Sequence, residues 1–271
     1  MDIIGKRKLW YTISLAVIII GLLFIVFKGI NFGIDFQGGT LLEYSFDQPV
    51  SNNEVRQLIT PLDFIGDPVI QQSEQGGIQG ILIRTHNLEA EQILEVENVL
   101  KAEYPSTETL RTDMVGPTIG KELQKTALWA LVIASIAIII YISFRFEFRF
   151  AIVAIIALFH DALITIGLFA IMGKEVNTPF VAALLTIIGY SINDTIVIFD
   201  RIRENMKLMK KTSFIKLANK AVVDTLPRSI NTSLTTLIAI LSIYFFGGAS
   251  IKTFMLALFI GMFAGTYSSI F

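Results

Sequence analysis

In the stretch GYSINDTIVIFDRIREN, residues 189–205, a carboxylate stands among apolar side chains: Asp194, beside Asn193 and close to Ser191. At the centre of a membrane helix an aspartate opposes insertion by roughly 2.5–3.5 kcal/mol. Asp194 therefore needs either a compensating partner or a use, and the use open to a carboxylate there is proton or cation exchange. A countercharge is available in LPRSINTSLTT, residues 226–236, where Arg228 opens another apolar run. A neighbouring cation favours an ionised carboxylate and isolation favours the protonated one, so an Asp194–Arg228 pair that separates takes up or releases a proton. A fixed salt bridge acting as polar glue is the competing reading. Asp161, next to His160 and one turn before Thr165, lies about eleven residues into its own run, near mid-bilayer. It suits either an ion path or hydrogen bonds between packed helices.

Other chemistry finds little support. Two histidines and no cysteine argue against a Cys/His metal site. No Ser/His/Asp or Cys/His arrangement stands out and the remaining carboxylates are scattered, so no enzyme, cofactor or metal is expected. A formal net charge of −1 gives no case for nucleic acid. The glycine-rich NFGIDFQGG, residues 31–39, lacks a Walker lysine and is not expected to open a helix, so it is no phosphate cradle. It reads as a hinge at Gly38 and Gly39, matched by a second at Gly116 and Pro117 in MVGPTIGKEL, residues 114–123.

The elements that must position these groups follow from hydropathy. Of 271 residues 53% are hydrophobic and only 17% charged, against about 25% charged in soluble domains. Six apolar runs, roughly 9–28, 126–144, 150–172, 178–199, 226–246 and 251–271, each approach the ~20 residues that cross a bilayer as helix. The first is too long for a signal-peptide core and has no A-x-A-like site after it, so an uncleaved span is expected. The last stops at Phe271 without a polar anchor, where a missing tail is expected.

Basic residues set the orientation. Lys6, Arg7 and Lys8, then Arg145 and Arg149, then the 200–228 connector with its run of lysines and arginines, fall on one side. The positive-inside rule makes that side cytoplasmic and leaves 29–125 extracytoplasmic. Three domains result: residues 1–28, a cytoplasmic N-terminus and first span; 29–125, the outer domain; and 126–271, spans two to six. The connector is expected as a basic amphipathic helix, either lying at the interface or docking onto a cytoplasmic partner or ribosome-bound chain.

Within the outer domain, strands are predicted at 40–46, 67–74, 80–85 and 107–115, the middle two around a Gly76-Gly77 turn. Helices are predicted at 51–59, opened by a Ser51/Glu54 capping box, and at 88–104. The order βαββαβ suggests a ferredoxin-like α+β sheet. At 100° per residue Tyr190, Ser191, Asp194 and Arg201 share one side of the fourth span, and Arg228, Asn231, Thr232, Thr235 and Ser242 one side of the fifth. GMFAG, residues 261–265, is a small-xxx-small pattern for close helix contact.

FGIDFQGG, VGPTIGKEL, the His160-Asp161 pair, GYSINDTIVIFDRIREN and LPRSINTSLTT, in that order, resemble the signature blocks of the SecF side of the SecD/SecF family, part of the RND superfamily of proton-driven transporters. The resemblance spans nearly the whole chain. It implies an α-helical membrane protein with six transmembrane helices, an RND-type half, and an extracytoplasmic domain between the first two. It also implies an accessory subunit of the bacterial Sec translocase in the cytoplasmic (inner) membrane. Its partners would be SecD, the SecYEG translocon, the translocating preprotein and membrane lipid. Asp194 and Arg228 would lie on the ion path, with Asp161, Asn193 and Ser191 beside them. An RND-type exporter half for lipids or small amphiphiles, and a non-transporting assembly scaffold for other Sec subunits, are the alternatives.

Overall fold

The computed structural model describes residues 1–75, 78–146, 148–209 and 212–271. The expected Gly76-Gly77 turn and two of the connector lysines, Lys210 and Lys211, lie outside the described residues. The chain divides into two units, one of Phe32–Leu128 with Phe246–Ile251, the other of Met1–Asn31, Trp129–Phe245 and Lys252–Phe271.

In the first of these, strands β1 (Gly39–Ser45), β2 (Val69–Gln75), β3 (Ile78–Thr85) and β4 (Glu108–Val115) form one antiparallel sheet in the order β2-β3-β1-β4. This is the βαββαβ topology expected, because each helical crossover skips one strand position. Register is set by the apolar alternation: Leu42 pairs with Ile83 and Tyr44 with Ile81, all four fully buried. Helices α3 (Asn52–Ile59) and α4 (Ala90–Glu103) cover that core with Val55, Ile59, Val96 and Leu100. The capping box is made in both directions: Ser51 Oγ accepts from the Glu54 amide at 3.3 Å, and the Ser51 amide donates to Glu54 Oε2 at 2.8 Å. Such a cap stabilises a helix by about 1 kcal/mol. Burial first, then the charge of Glu97, pushes the Tyr44 hydroxyl well above the ordinary phenol range.

The expectation of no helix in NFGIDFQGG is corrected. A single turn, α2 (Ile34–Gln37), forms there with Ile34 and Phe36 buried. It stops because Gly38 adopts φ +77° and Gly39 φ +132°, conformations that side chains disfavour. A Cβ on Gly38 would also lie 3.0 Å from the Cα of Pro117. Gly38→Ala is therefore expected to destabilise the protein by about 1–3 kcal/mol. Thermal unfolding of the purified protein checks this, with Gly116→Ala as the comparison: a Cβ there meets nothing within 4 Å.

Among the described residues six helices are long and apolar enough to cross a membrane, and most of their length belongs to the second unit, the start of the second helix to Leu128 belonging to the first. They are α1 (Arg7–Lys28, preceded by a 3-10 turn at Ile4–Lys6), α5 (Pro117–Arg145), α6 (Phe148–Met172), α7 (Thr178–Leu208), α8 (Phe214–Phe246) and α9 (Ala249–Ile270). Two boundaries differ from expectation. Helix α5 begins at Pro117, where a proline fits the first helical position because its missing N–H has no partner to lose. The 200–228 connector is no separate interfacial helix. Its described residues lie in the charged ends of α7, which runs to Leu208, and of α8, which starts at Phe214, and polar faces laced by pairs such as Arg201–Glu204 sustain them. Helix α8 contains Pro227 in its interior, which removes one rung of its hydrogen-bond ladder.

Small residues set the helix approaches. Gly21 of α1 lies against Gly167 of α6 so closely that a Cβ on either would sit 2.9 Å from the other's Cα. The GMFAG pattern packs α9 on α7: Gly261 leaves room for Ile187 and Gly265 for Ser191.

Candidate functional site

Helix α6 places Asp161 inside the bundle at 1% exposure. Its Oδ2 accepts a hydrogen bond from Ser191 Oγ of α7 at 2.6 Å and lies 3.0 Å from Ser268 Oγ of α9; its Oδ1 is 2.9 Å from His160 Nδ1. The His160 ring stacks on Tyr267 at 6.1 Å. The Tyr267 hydroxyl donates to the Trp10 carbonyl of α1 at 2.9 Å and accepts from Ser14 at 3.2 Å. Gly265 makes this possible, since a Cβ there would lie 3.3 Å from Asp161 Oδ2. One carboxylate thus ties three helices, and its neighbours reach a fourth.

A second polar rung joins α7, α8 and α9. Tyr190 OH donates to Ser233 Oγ at 3.3 Å, and Thr266 Oγ1 is 2.7 Å from the same atom. A third lies toward the α7–α8 connection, where Arg201 Nη2 donates to Asp224 Oδ2 at 2.6 Å and Nε at 3.1 Å, while Nη1 reaches Glu204 at 2.8 Å. Arg201, Glu204 and Asp224 line an open cleft of about 450 Å³ with Asp200, Val197, Thr225 and Arg228.

Asp194 lies between these two rungs. It is 4% exposed, and its Oδ2 is buried with no hydrogen-bond partner among the described residues. Arg228 is exposed, and close enough for its charge to bear on Asp194, yet no ion pair joins the two among the described residues. The predicted site residues therefore fall into three places. Asp161 and Ser191 are brought together, Asp194 is buried one turn from Ser191, and Asn193 and Arg228 lie on the exposed surface.

The fifth-span stripe lies on the outer side of α8. Asn231, Thr235 and Ser242 are exposed, while Ser229 and Ser233 form the buried polar face of α8. Both stripes repeat at helical spacing through SINTSLTT, residues 229–236, and periodicity alone does not say which one faces inward. Sequence reasoning also missed Tyr267 and Ser268, in the short polar stretch TYSS near the end of the sixth run, and the Gly21–Gly167 contact, whose partners belong to different spans. Ser268 stands three residues beyond Gly265, on the face the small-residue pattern marks, and that was the one available signal.

Membrane-crossing helices with buried carboxylates, and a four-stranded antiparallel sheet between the first two, define a multi-pass membrane subunit of transporter type. A family model described as the C-terminal part of protein export membrane protein SecD/SecF matches residues 95–271, and one for the SecD/SecF GG motif matches residues 23–50. The protein translocase subunit SecF of Thermobaculum terrenum is 40% identical over all of this chain and 91% of its own length. SecDF of Bacillus subtilis is 41% identical, again over the whole chain, which spans 37% of that longer protein. The crystal structure of SecDF from Thermus thermophilus superposes with a TM-score of 0.92 at 36% identity, covering the whole chain and 37% of that one.

The chain belongs to the SecD/SecF family of protein export membrane proteins. Within it the chain stands on the SecF side, as the Sec translocase subunit that works with SecD in protein export.

Proposed function

We propose that this subunit, in the bacterial cytoplasmic (inner) membrane, carries half of an ion path whose traffic drives movement of the sheet domain, and that this movement promotes preprotein export through SecYEG. The observation that carries the reading is Asp194, a buried carboxylate with one oxygen unpartnered among the described residues, near an exposed arginine to which no described ion pair locks it. A salt bridge for stability alone would close that gap, because an unpaired buried charge is costly. Asp161 and Ser191 serve as the fixed anchor beneath it.

The other half of the path comes from SecD. Along α7 the exposed positions Ala182, Thr186, Gly189 and Asn193, and along α8 Asn231 and Thr235, are small or polar. A Cβ on Gly189 meets nothing within 4 Å. Small and polar surface suits another helix better than lipid, because it permits close backbone approach and interhelical hydrogen bonds. Each elementary charge crossing 100 mV supplies about 2.3 kcal/mol.

The basic residues at 6–8, at 145 and 149 and along 200–228 support a cytoplasmic N-terminus and an extracytoplasmic sheet domain. The hinge residues Gly38, Gly39, Gly116 and Pro117 form one joint, since Gly38 packs on Pro117. An exporter half for amphiphiles is less well supported. The groove on the sheet domain, bounded by Phe46, Gln48, Val50, Gln72 and Gln79, is only about 210 Å³ and largely polar.

Single cysteines test orientation and interface together, since the chain has none of its own. Asn87→Cys is expected to react with a membrane-impermeant reagent in intact cells, and Lys207→Cys only after permeabilisation. Asn193→Cys is expected to crosslink to SecD. The reverse labelling pattern would invert the topology, and crosslinking only to lipid reagents would remove the SecD interface. Gradient-driven export by Asp194→Asn vesicles tests the ion path itself.

A further inference from the structure

Two hydrogen-bonded rungs fix how α7 and α8 lie against each other. Tyr190 meets Ser233 at 3.3 Å, and Arg201 meets Asp224 at 2.6 Å. The helices are antiparallel, so one turn from the first rung toward the second advances four residues on α7 and retreats four on α8. That step leads from Tyr190 to Asp194 and from Ser233 to Ser229. Both are on the buried faces of their helices, Ser229 at 1% exposure. Both also carry an oxygen without a hydrogen-bond partner among the described residues, Asp194 Oδ2 and Ser229 Oγ.

Neighbouring hydroxyls are committed to their own helices: Thr195 donates to the Ser191 carbonyl and Thr225 to that of Ala221. Asp194 and Ser229 are not so committed. Buried oxygens left unmet cost free energy, and a buried carboxylate costs most of all unless positive charge reaches it. A carboxylate beside a hydroxyl is a hard oxygen donor set.

Resting on the ion-path reading above, we infer that Asp194 and Ser229 together bind the coupling cation, a monovalent ion taken either as a proton on water or as Na⁺. Asp194 supplies the charge and Ser229 a neutral oxygen ligand. The charged side chains on the elements around the pair are Arg228 and Asp224 of α8 and Arg201, Asp200 and Glu204 of α7, which line one cleft, and Asp161 of α6, bonded to Ser191. Arg228 competes with the ion for the carboxylate, so ion release and arginine approach are alternatives.

The test uses the full complex with SecD in proteoliposomes, with export measured against Na⁺ at fixed pH and against pH without Na⁺. Ser229→Ala is expected to raise the half-saturating concentration of the coupling ion about tenfold in one of the two series, as for one lost hydrogen-bond-strength ligand. The maximal rate should be kept, and the responding series names the ion. Ser229→Thr retains the hydroxyl and is expected to behave as the parent. A second readout is the thermal stability of the detergent-solubilised complex against the same ion, whose ion-dependent rise should shrink in Ser229→Ala. Unchanged half-saturation and unchanged ion-dependent stabilisation would overturn the inference. With export still lost in Asp194→Asn, that result leaves the ion-path reading standing. Gradient-driven export retained by Asp194→Asn removes both.

Discussion

Asp194→Asn is expected to reduce export to the level measured without an ion gradient, while the complex with SecD still assembles and melts near the parent temperature. The amide keeps the shape and a hydrogen-bonding capacity at a 4% exposed position but has no titratable charge. It also removes a charge from a buried position, which offsets any loss, so stability should hold or rise slightly. Arg228→Lys keeps charge without the planar fork and is expected to impair export less than Arg228→Ala. The double change Asp194→Asn/Arg228→Gln separates the two roles of the pair. If Asp194 and Arg228 only glue helices, each single neutralisation lowers stability and the double recovers much of it. If they respond to an ion, the double stays without gradient-driven export. Export restored in the double mutant would sink the ion-path role. The measurement is gradient-driven export and thermal stability for the singles and the double.

The second large effect belongs to Asp161, and it runs the other way. Asp161→Leu is expected to cost about 3–5 kcal/mol of stability and to lower the amount of folded protein in the membrane. It strands the hydroxyls of Ser191 and Ser268 in the core and removes the partner of His160. Asp161→Asn keeps one oxygen able to accept from Ser191 and is expected to cost only about 1–2 kcal/mol while leaving gradient-driven export measurable. Folded yield and thermal stability of the complex in detergent decide this. Loss of export in Asp161→Asn at full stability would instead make Asp161 a second ion carrier.

Legibility in the sequence followed the strength of the local signal. The sheet domain was readable nearly residue by residue because alternation, capping residues and glycines are local. The Ser51/Glu54 box and the strand at 40–46 needed no knowledge of distant chain. The spans were readable in number but not in extent, since hydropathy marks where lipid is tolerated and not where the helix ends. Helices α7 and α8 run on into their charged ends for that reason. The membrane site was half readable. A lone aspartate in an apolar run announces itself, whereas Ser229 and Ser233 look like any hydroxyl residues in SINTSLTT. Only the packing of α7 and α9 against α8 tells the inward hydroxyls from the outward Asn231 and Thr235. The contact between Asp161 and Ser268 joins residues 107 positions apart, and nothing local reports it.

The missing rung at Pro227 has a mechanical meaning. On one side α8 is strapped to α7 by Arg201–Asp224, and on the other it is held by Ser233 to Tyr190 and Thr266. Between the two clamps the rod has its lowest bending stiffness at Pro227, because one hydrogen bond of the ladder is gone. Arg228 is the next residue and projects a long side chain from that soft point. A flexure of a few degrees there would sweep the guanidinium toward or away from α7 while both clamps stay closed. On the ion-path reading proposed above, the helix would act as a spring-mounted pointer, converting an elastic deformation too small to break a hydrogen bond into a change of charge placement beside Asp194.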